Sequence, residues 1–222
     1  MKERFNPAIA LFSVTLACVG CASGQAAVNR QQSTGAATAP VAAASDTAAP
    51  LYTRADIEFM DGMIAHHAQA LLMASWADSH GASPTIRTLT DRITNAQKDE
   101  IVAMQKWLRD RHQPVPEPDP HGMTMDMGGM HHEMLMPGML TDDQLKQLDA
   151  ARSKEFDRLF LVFMIQHHKG AVTMVDNLFA TNGAAQDITV YKMASDISAD
   201  QTTEIARMQK MLAAMVFDSQ AQ

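Results

Sequence analysis

Thiols are scarce in this 222-residue chain: its two cysteines, Cys18 and Cys21, both fall near the N-terminus. A mature domain without them has no thiolate to offer a metal, no internal disulfide and no cysteine nucleophile. No serine stands near a histidine in a recognisable elbow, and the glycines make neither phosphate-binding pattern, so nucleophilic catalysis and nucleotide binding have no support. Basic residues are outnumbered, 18 Lys and Arg against 25 Asp and Glu, for a net charge of −7. That sign makes a poor nucleic-acid binder and a reasonable host for cations. Sustained alternation of β-branched and polar residues is also missing, which leaves no strand signal. Methionine, by contrast, occurs 18 times and histidine nine times.

Lys2 and Arg4 precede an apolar run, Ala8 to Val19, too short for an ordinary transmembrane helix and ending in small residues. This is the pattern of a bacterial export signal. Gly20 before Cys21 and Ala22-Ser23 after it resemble a lipobox, so residues 1–21 read as a lipoprotein-type signal with Cys21 as the acylated residue. Cys18, or cleavage without a lipid, are the alternatives. Residues 22–50 are rich in Ala, Thr, Ser and Gln, cannot build a core, and read as a disordered tether. Losing Lys2, Glu3 and Arg4 with the signal takes the net charge from −7 to −8. Residues 51–217 are the right size for one domain, leaving 218–222 as a tail. The expected location is the periplasm or bacterial envelope, with membrane contact only through the lipid.

Helix signals run through that domain. Thr53 with Asp56 and Thr141 with Gln144 make capping boxes, Ser83-Pro84 reads as an N-cap followed by a first-turn proline, and His80-Gly81 and Asn182-Gly183 read as stops. Helices are expected near 54–79, 84–111, 154–181 and 185–216, with a short one near 142–150. The fold class is therefore all-α, a four-helix bundle of two hairpins joined by a long crossover at 114–140. A connection of that length suggests function or disorder.

The two hairpins repeat one another. At an offset of 101 residues, Asp56, Phe59, Met63, Ile64, His66, His67, Ala70 and Met73 fall on Asp157, Phe160, Met164, Ile165, His167, His168, Ala171 and Met174. At an offset of 104, Gln97, Glu100, Ile101 and Met104 fall on Gln201, Glu204, Ile205 and Met208. Such self-similarity marks two copies of one supersecondary unit. Met60, Met63, His66, His67, Ala70 and Met73 share an arc of about 140° on their helix. A bundle that buries these faces gathers imidazole, thioether and carboxylate. Thioether sulfur is soft and suits Cu(I) or Ag(I), while neutral imidazole serves several metals, so Met plus His without thiolate favours copper. A methionine stripe can also be simple core packing. The repeated His pair with Met at the same spacings argues for ligands: Met63, His66, His67, Met73, Met104, Met164, His167, His168, Met174 and Met208. Met60, Glu100 and Glu204 join as further candidates, the carboxylates as ligands, as groups behind the ligands or as salt-bridge partners.

The crossover carries a second cluster. From His121 to Met139, nineteen residues hold seven methionines and three histidines: His121, Met123, Met125, Met127, Met130, His131, His132, Met134, Met136 and Met139. No core needs that density in a Gly-rich segment, and closely spaced thioethers in a flexible chain can fold around a d¹⁰ ion. The alternatives are a loop covering the bundle or a sticky partner surface. Ordering costs make this a weaker, more exchangeable site than a preformed one.

The paired Met-Ile-x-His-His helices, the Glu-Ile-x-x-Met-Gln segments at 100–105 and 204–209, and Phe156-Asp157-Arg158-Leu159-Phe160 resemble the bacterial family called domain of unknown function 305. The likeness covers about Tyr52 to Phe217. It implies a ferritin-like, exported four-helix bundle of the kind that includes CopM-type copper-binding proteins, associated with copper and silver tolerance. The ligands it implies are Met63, His66, His67, Met73, Met164, His167, His168 and Met174. The Met-rich crossover exceeds the family's general pattern. The expectation is a non-enzymatic protein that sequesters or shuttles Cu(I), with Ag(I) and Cu(II) as further cargo, and passes it to a copper efflux or oxidase partner. One rival is a ferritin-like di-metal oxidase, which needs Glu three residues before its histidines, where this chain has Met63 and Met164. The other is an envelope helical protein whose Met surfaces meet protein.

Overall fold

The structure, a computed structural model, describes residues 51–126 and 131–220. The signal, Cys21, the tether, Met127 and Met130 lie outside the described residues. The domain is predominantly helical: α1 Arg54–Ser75, α2 Pro84–Asp110, α3 Asp142–Ala150, α4 Ser153–Ala180 and α5 Ile188–Gln220. Helix α1 packs on α2 and on α4, and α4 packs on α5, so the two hairpins meet through α1 and α4. No described helix is long and apolar enough to cross a membrane.

Two boundaries differ from the sequence reading. Helix α1 stops at Ser75, and residues 76–81 form turns closed by left-handed Gly81. Helix α5 begins at Ile188 because Asp187 Oδ1 accepts the N–H groups of Thr189 and Val190, at 2.8 and 3.3 Å. That carboxylate satisfies donors a helix start leaves open.

The crossover corrects the expectation of no strands. Met123–Asp126 (β1) and His131–Met134 (β2) pair antiparallel, with Met123 opposite Met134 and Asp126 opposite His131. Met-Thr-Met-Asp and His-His-Glu-Met are short segments with little β-branching, and Gly128-Gly129 stands between them in the sequence, a hairpin cue that a search for longer alternation passes over.

The repeats complete each other's turns. Asp56 in the first turn of α1 accepts from the backbone N–H of Thr53 at 2.6 Å with Oδ2, while its Oδ1 accepts the N–H of Ala185, before α5, at 2.7 Å. Its counterpart Asp157 in α4 accepts the N–H of Ser83, before α2, at 3.1 Å. Both carboxylates are buried and satisfied.

The core forms two apolar clusters, one toward each end. One joins Met73, Ile86, Leu89, Ile93, Phe156, Phe160, Met164 and Met208; the other joins Phe59, Met60, Met63, Ile101, Met104, Trp107, Met174 and Leu178. Along α1 and α4 the histidines fall between these clusters.

The crossover is strapped to α1 by one buried side chain. Gln69 donates to the carbonyls of Pro120 and Leu140, at 3.0 and 3.1 Å, and accepts the N–H of Leu140 at 2.6 Å. It thereby fastens both ends of the Met/His segment. Gln69→Leu strands two buried backbone groups of Leu140 and the half-buried Pro120 carbonyl, and is expected to cost about 2–4 kcal/mol, read as a lower denaturant midpoint with an unchanged slope. A midpoint equal to that of the unaltered chain would mean that the strap is held elsewhere.

Candidate metal centre

His66 and His67 on α1, and His167 and His168 on α4, are all fully buried. Adjacent residues on a helix point about 100° apart, so one of each pair faces the other hairpin and its neighbour faces the second helix of its own hairpin. His66 and His167 stack across the α1–α4 contact, with ring centroids 3.8 Å apart and planes tilted by 37°. His67 reaches α2, where its Nε2 lies 2.7 Å from Glu100 Oε2, and His168 reaches α5, where its Nε2 lies 2.8 Å from Glu204 Oε2. One row therefore crosses the domain, from Glu100 through His67, His66, His167 and His168 to Glu204. The two histidine pairs form one cluster.

Hydrogen bonding fixes which nitrogens are bare. A ring nitrogen facing an ionised carboxylate or a carbonyl must carry the proton. Nε2 of His67 and of His168 donates to its glutamate, and Nε2 of His66 donates to the Pro137 carbonyl at 3.1 Å. Nδ1 of all three rings and both nitrogens of His167 lack a hydrogen-bond partner. Buried lone pairs of this kind cost free energy unless something occupies them. Buried Gln97 and Gln201, one turn before the glutamates, also carry unpartnered amide atoms.

Three of the rings are held neutral. Burial, then the neighbouring His67, pushes His66 down to about 3. Burial and His66 hold His167 well below the usual histidine range, and burial holds His168 below it against the pull of Glu204. Neutral imidazole is the form that ligates. A carboxylate on the far nitrogen orients the ring, as Glu100 and Glu204 do for His67 and His168.

Thioethers lie on both sides of the row. Met63, Met104, Met174 and Met60 belong to one flanking cluster, and Met73, Met164 and Met208 to the other. Each cluster thus draws methionines from both repeats. Among the described residues no three His, Cys, Asp or Glu converge as a metal cage. The donors on offer are imidazole nitrogen and thioether sulfur, a set that suits a soft ion better than an oxygen-seeking one.

The crossover candidates are more dispersed. His121 is exposed, its Nδ1 3.7 Å from Asp142 Oδ1. Met134 is exposed, Met136 half-buried, and Met139 buried with its sulfur accepting the N–H of Met136 at 3.3 Å. Met123, Met125, His131 and His132 sit on the paired strands, where only the backbone is described.

Sequence reasoning missed Gln69, the Pro137 carbonyl and Gly170. A Cβ on Gly170 would stand 1.8 Å from the Pro137 oxygen, so only glycine lets the crossover lie against α4 there. The signal was present: Gln69 and Gly170 are equivalent positions in the two repeats, yet the residues differ.

A search of curated proteins finds no match. A fragment of a DUF305 protein from Deinococcus radiodurans is 26% identical and superposes with a TM-score of 0.61, over 74% of this chain and 99% of its own. CopM in its Cu(I)-bound form is 28% identical with a TM-score of 0.54, over 72% of this chain and 96% of its own. CopM has also been solved in an Ag-bound form, 28% identical with a TM-score of 0.52 over the same shares. The family described as "Domain of unknown function (DUF305)" matches residues 56–212, which span the histidine row and both Met-lined clusters, and the chain belongs to that family.

Proposed function

We propose that this chain is an exported copper-binding protein, a ferritin-like four-helix bundle with a Met/His-rich crossover, that sequesters or shuttles Cu(I) for metal tolerance. Ag(I) and Cu(II) are further cargo. It acts without catalysis, is held in the envelope by a lipid on Cys21, and hands copper to an efflux or oxidase partner. The observation that carries this reading is the row of four buried imidazoles with unpartnered nitrogens, flanked by thioethers. Neutral donors give a monovalent soft ion its coordination, while Glu100 and Glu204 balance its charge through His67 and His168. Copper-bound and silver-bound CopM structures support the choice of ion. The crossover adds an outer, more exchangeable site, because it orders around its ion at a cost in entropy.

An anaerobic Cu(I) titration against a chromophoric chelator tests this. The unaltered protein should take up several ions. A variant with His66, His67, His167 and His168 changed to Ala, and another lacking 123–139, should each lose a distinct share. Metal that binds only the native state must also raise the melting temperature. No competition with the chelator and no thermal shift would turn the reading toward a partner-binding helical protein, and iron-dependent oxygen consumption would turn it toward the di-metal oxidase.

A further inference from the structure

The two sides of the histidine row are closed differently. On one side the crossover seals it, with the Pro137 carbonyl on His66 and Gly138 lying against Gly170 of α4. On the other side α2 and α5 leave a cleft of about 520 Å³. Its walls carry Asp99 and Glu100 from α2 and Asp196 and Asp200 from α5, against a single cation, Lys192, which pairs with Asp196. Arg92 also acts on Asp200 from nearby, without cancelling the excess. Glu100 belongs to both places: it lines the cleft, is partly exposed, and accepts from fully buried His67. Met193, half-buried against the cluster that holds Met63, Met104 and Met174, puts a thioether on the same wall.

We infer that this cleft is the port through which the cargo cation reaches the buried imidazoles, with Asp99, Asp196 and Asp200 drawing the ion in and Glu100 passing it to the row. The inference rests on the copper-binding reading and adds a route to it. A cleft lined by one sign of charge with low-dielectric walls focuses the field and raises the local concentration of counter-ions. The crowding of negative charge registers on Asp200, whose carboxyl is pushed up by partial burial and by Glu100, Glu204 and Asp196. No histidine lines the cleft itself; Glu100, hydrogen-bonded to buried His67, is its link to the row, whose other ring nitrogens lack partners.

Silver nitrate in chloride-free buffer is the probe. Both tryptophans pack on the clusters beside the row, Trp107 within one and Trp76 against the other, so heavy-ion quenching of their fluorescence reports arrival in the core. Stopped-flow mixing at low ionic strength should show the D99N/D196N/D200N variant quenching at least about tenfold more slowly than the unaltered chain, to the same final amplitude. High salt should close the gap, since screening removes steering. Neutralising exposed Asp78, Glu155 and Asp176, away from the cleft, should leave the rate within about twofold, because a shared loss of net charge steers little. Equal rates for unaltered and cleft variants would overturn the port while leaving the binding reading in place. So would silver retained on dialysis with no quenching. No silver retained at all would overturn both.

Discussion

Replacing Gly170 by alanine should lower the melting temperature of the metal-free protein by roughly 5–10 °C. The added methyl would stand 1.8 Å from the Pro137 oxygen and 2.6 Å from Gly138 Cα. Neither is the free end of a flexible side chain, so the strand of backbone must move. Overpacking of that kind costs about 1–3 kcal/mol, and each kcal/mol is about 2–4 °C for a domain of this size. The displaced carbonyl also leaves His66 Nε2, adding the cost of a buried unpaired donor. Thermal denaturation by circular dichroism measures the sum. The control is Gly183→Ala, whose Cβ meets nothing closer than 3.8 Å but whose left-handed φ of 79° makes the change strained, a smaller loss of about 1 kcal/mol. Equal losses at the two positions would refute the packing account.

Acid should unfold the metal-free protein as pH falls from about 6.5 toward 3. His66, His167 and His168 have folded pKa values below the unfolded one, His66 at about 3. Protons therefore bind the unfolded chain more readily than the folded one. The stability this confers is complete above the unfolded pKa of about 6.5 and is lost as pH drops through that value toward the folded one. At pH 5 His66, with its folded value at about 3, removes about 2 kcal/mol, and His167 and His168 act in the same direction. Asp61 works in the other direction, its carboxyl pushed up to about 6 by burial and Glu58, but it is half-exposed and offsets only part. Denaturant midpoints measured from pH 7 to 4 should fall steeply, and the variant with all four histidines changed to Ala should fall less. Parallel pH profiles for the two proteins would remove the buried neutral imidazoles as the cause.

The same four histidines show how far a sequence carries. Their repeat, their helical faces and their companions Met63, Met164, Glu100 and Glu204 were legible because a helix converts spacing directly into direction. Helical periodicity, however, says nothing about which helices touch. That His66 meets His167, so that the pairs join in one cluster, depends on α1 packing against α4 rather than on any local signal. Strands β1 and β2 stayed hidden because four-residue segments leave too little alternation to read. Gln69 and Gly170 were invisible to a search for matches, since their meaning lies in being the place where two otherwise similar repeats part company. One supplies a long amide and the other supplies space, both for the same crossover.

The exchange of carboxylates between repeats bears on how the domain can come apart. Asp56 finishes the turn before α5, Asp157 finishes the turn before α2, and each Met-lined cluster borrows sulfur from both halves. Neither half could stand as a complete module after a cut at the crossover. Peeling one hairpin away would undo both turns and divide every set of donors at once. Stepwise fraying is thus closed to this architecture, and the two halves are expected to unfold together in one cooperative transition.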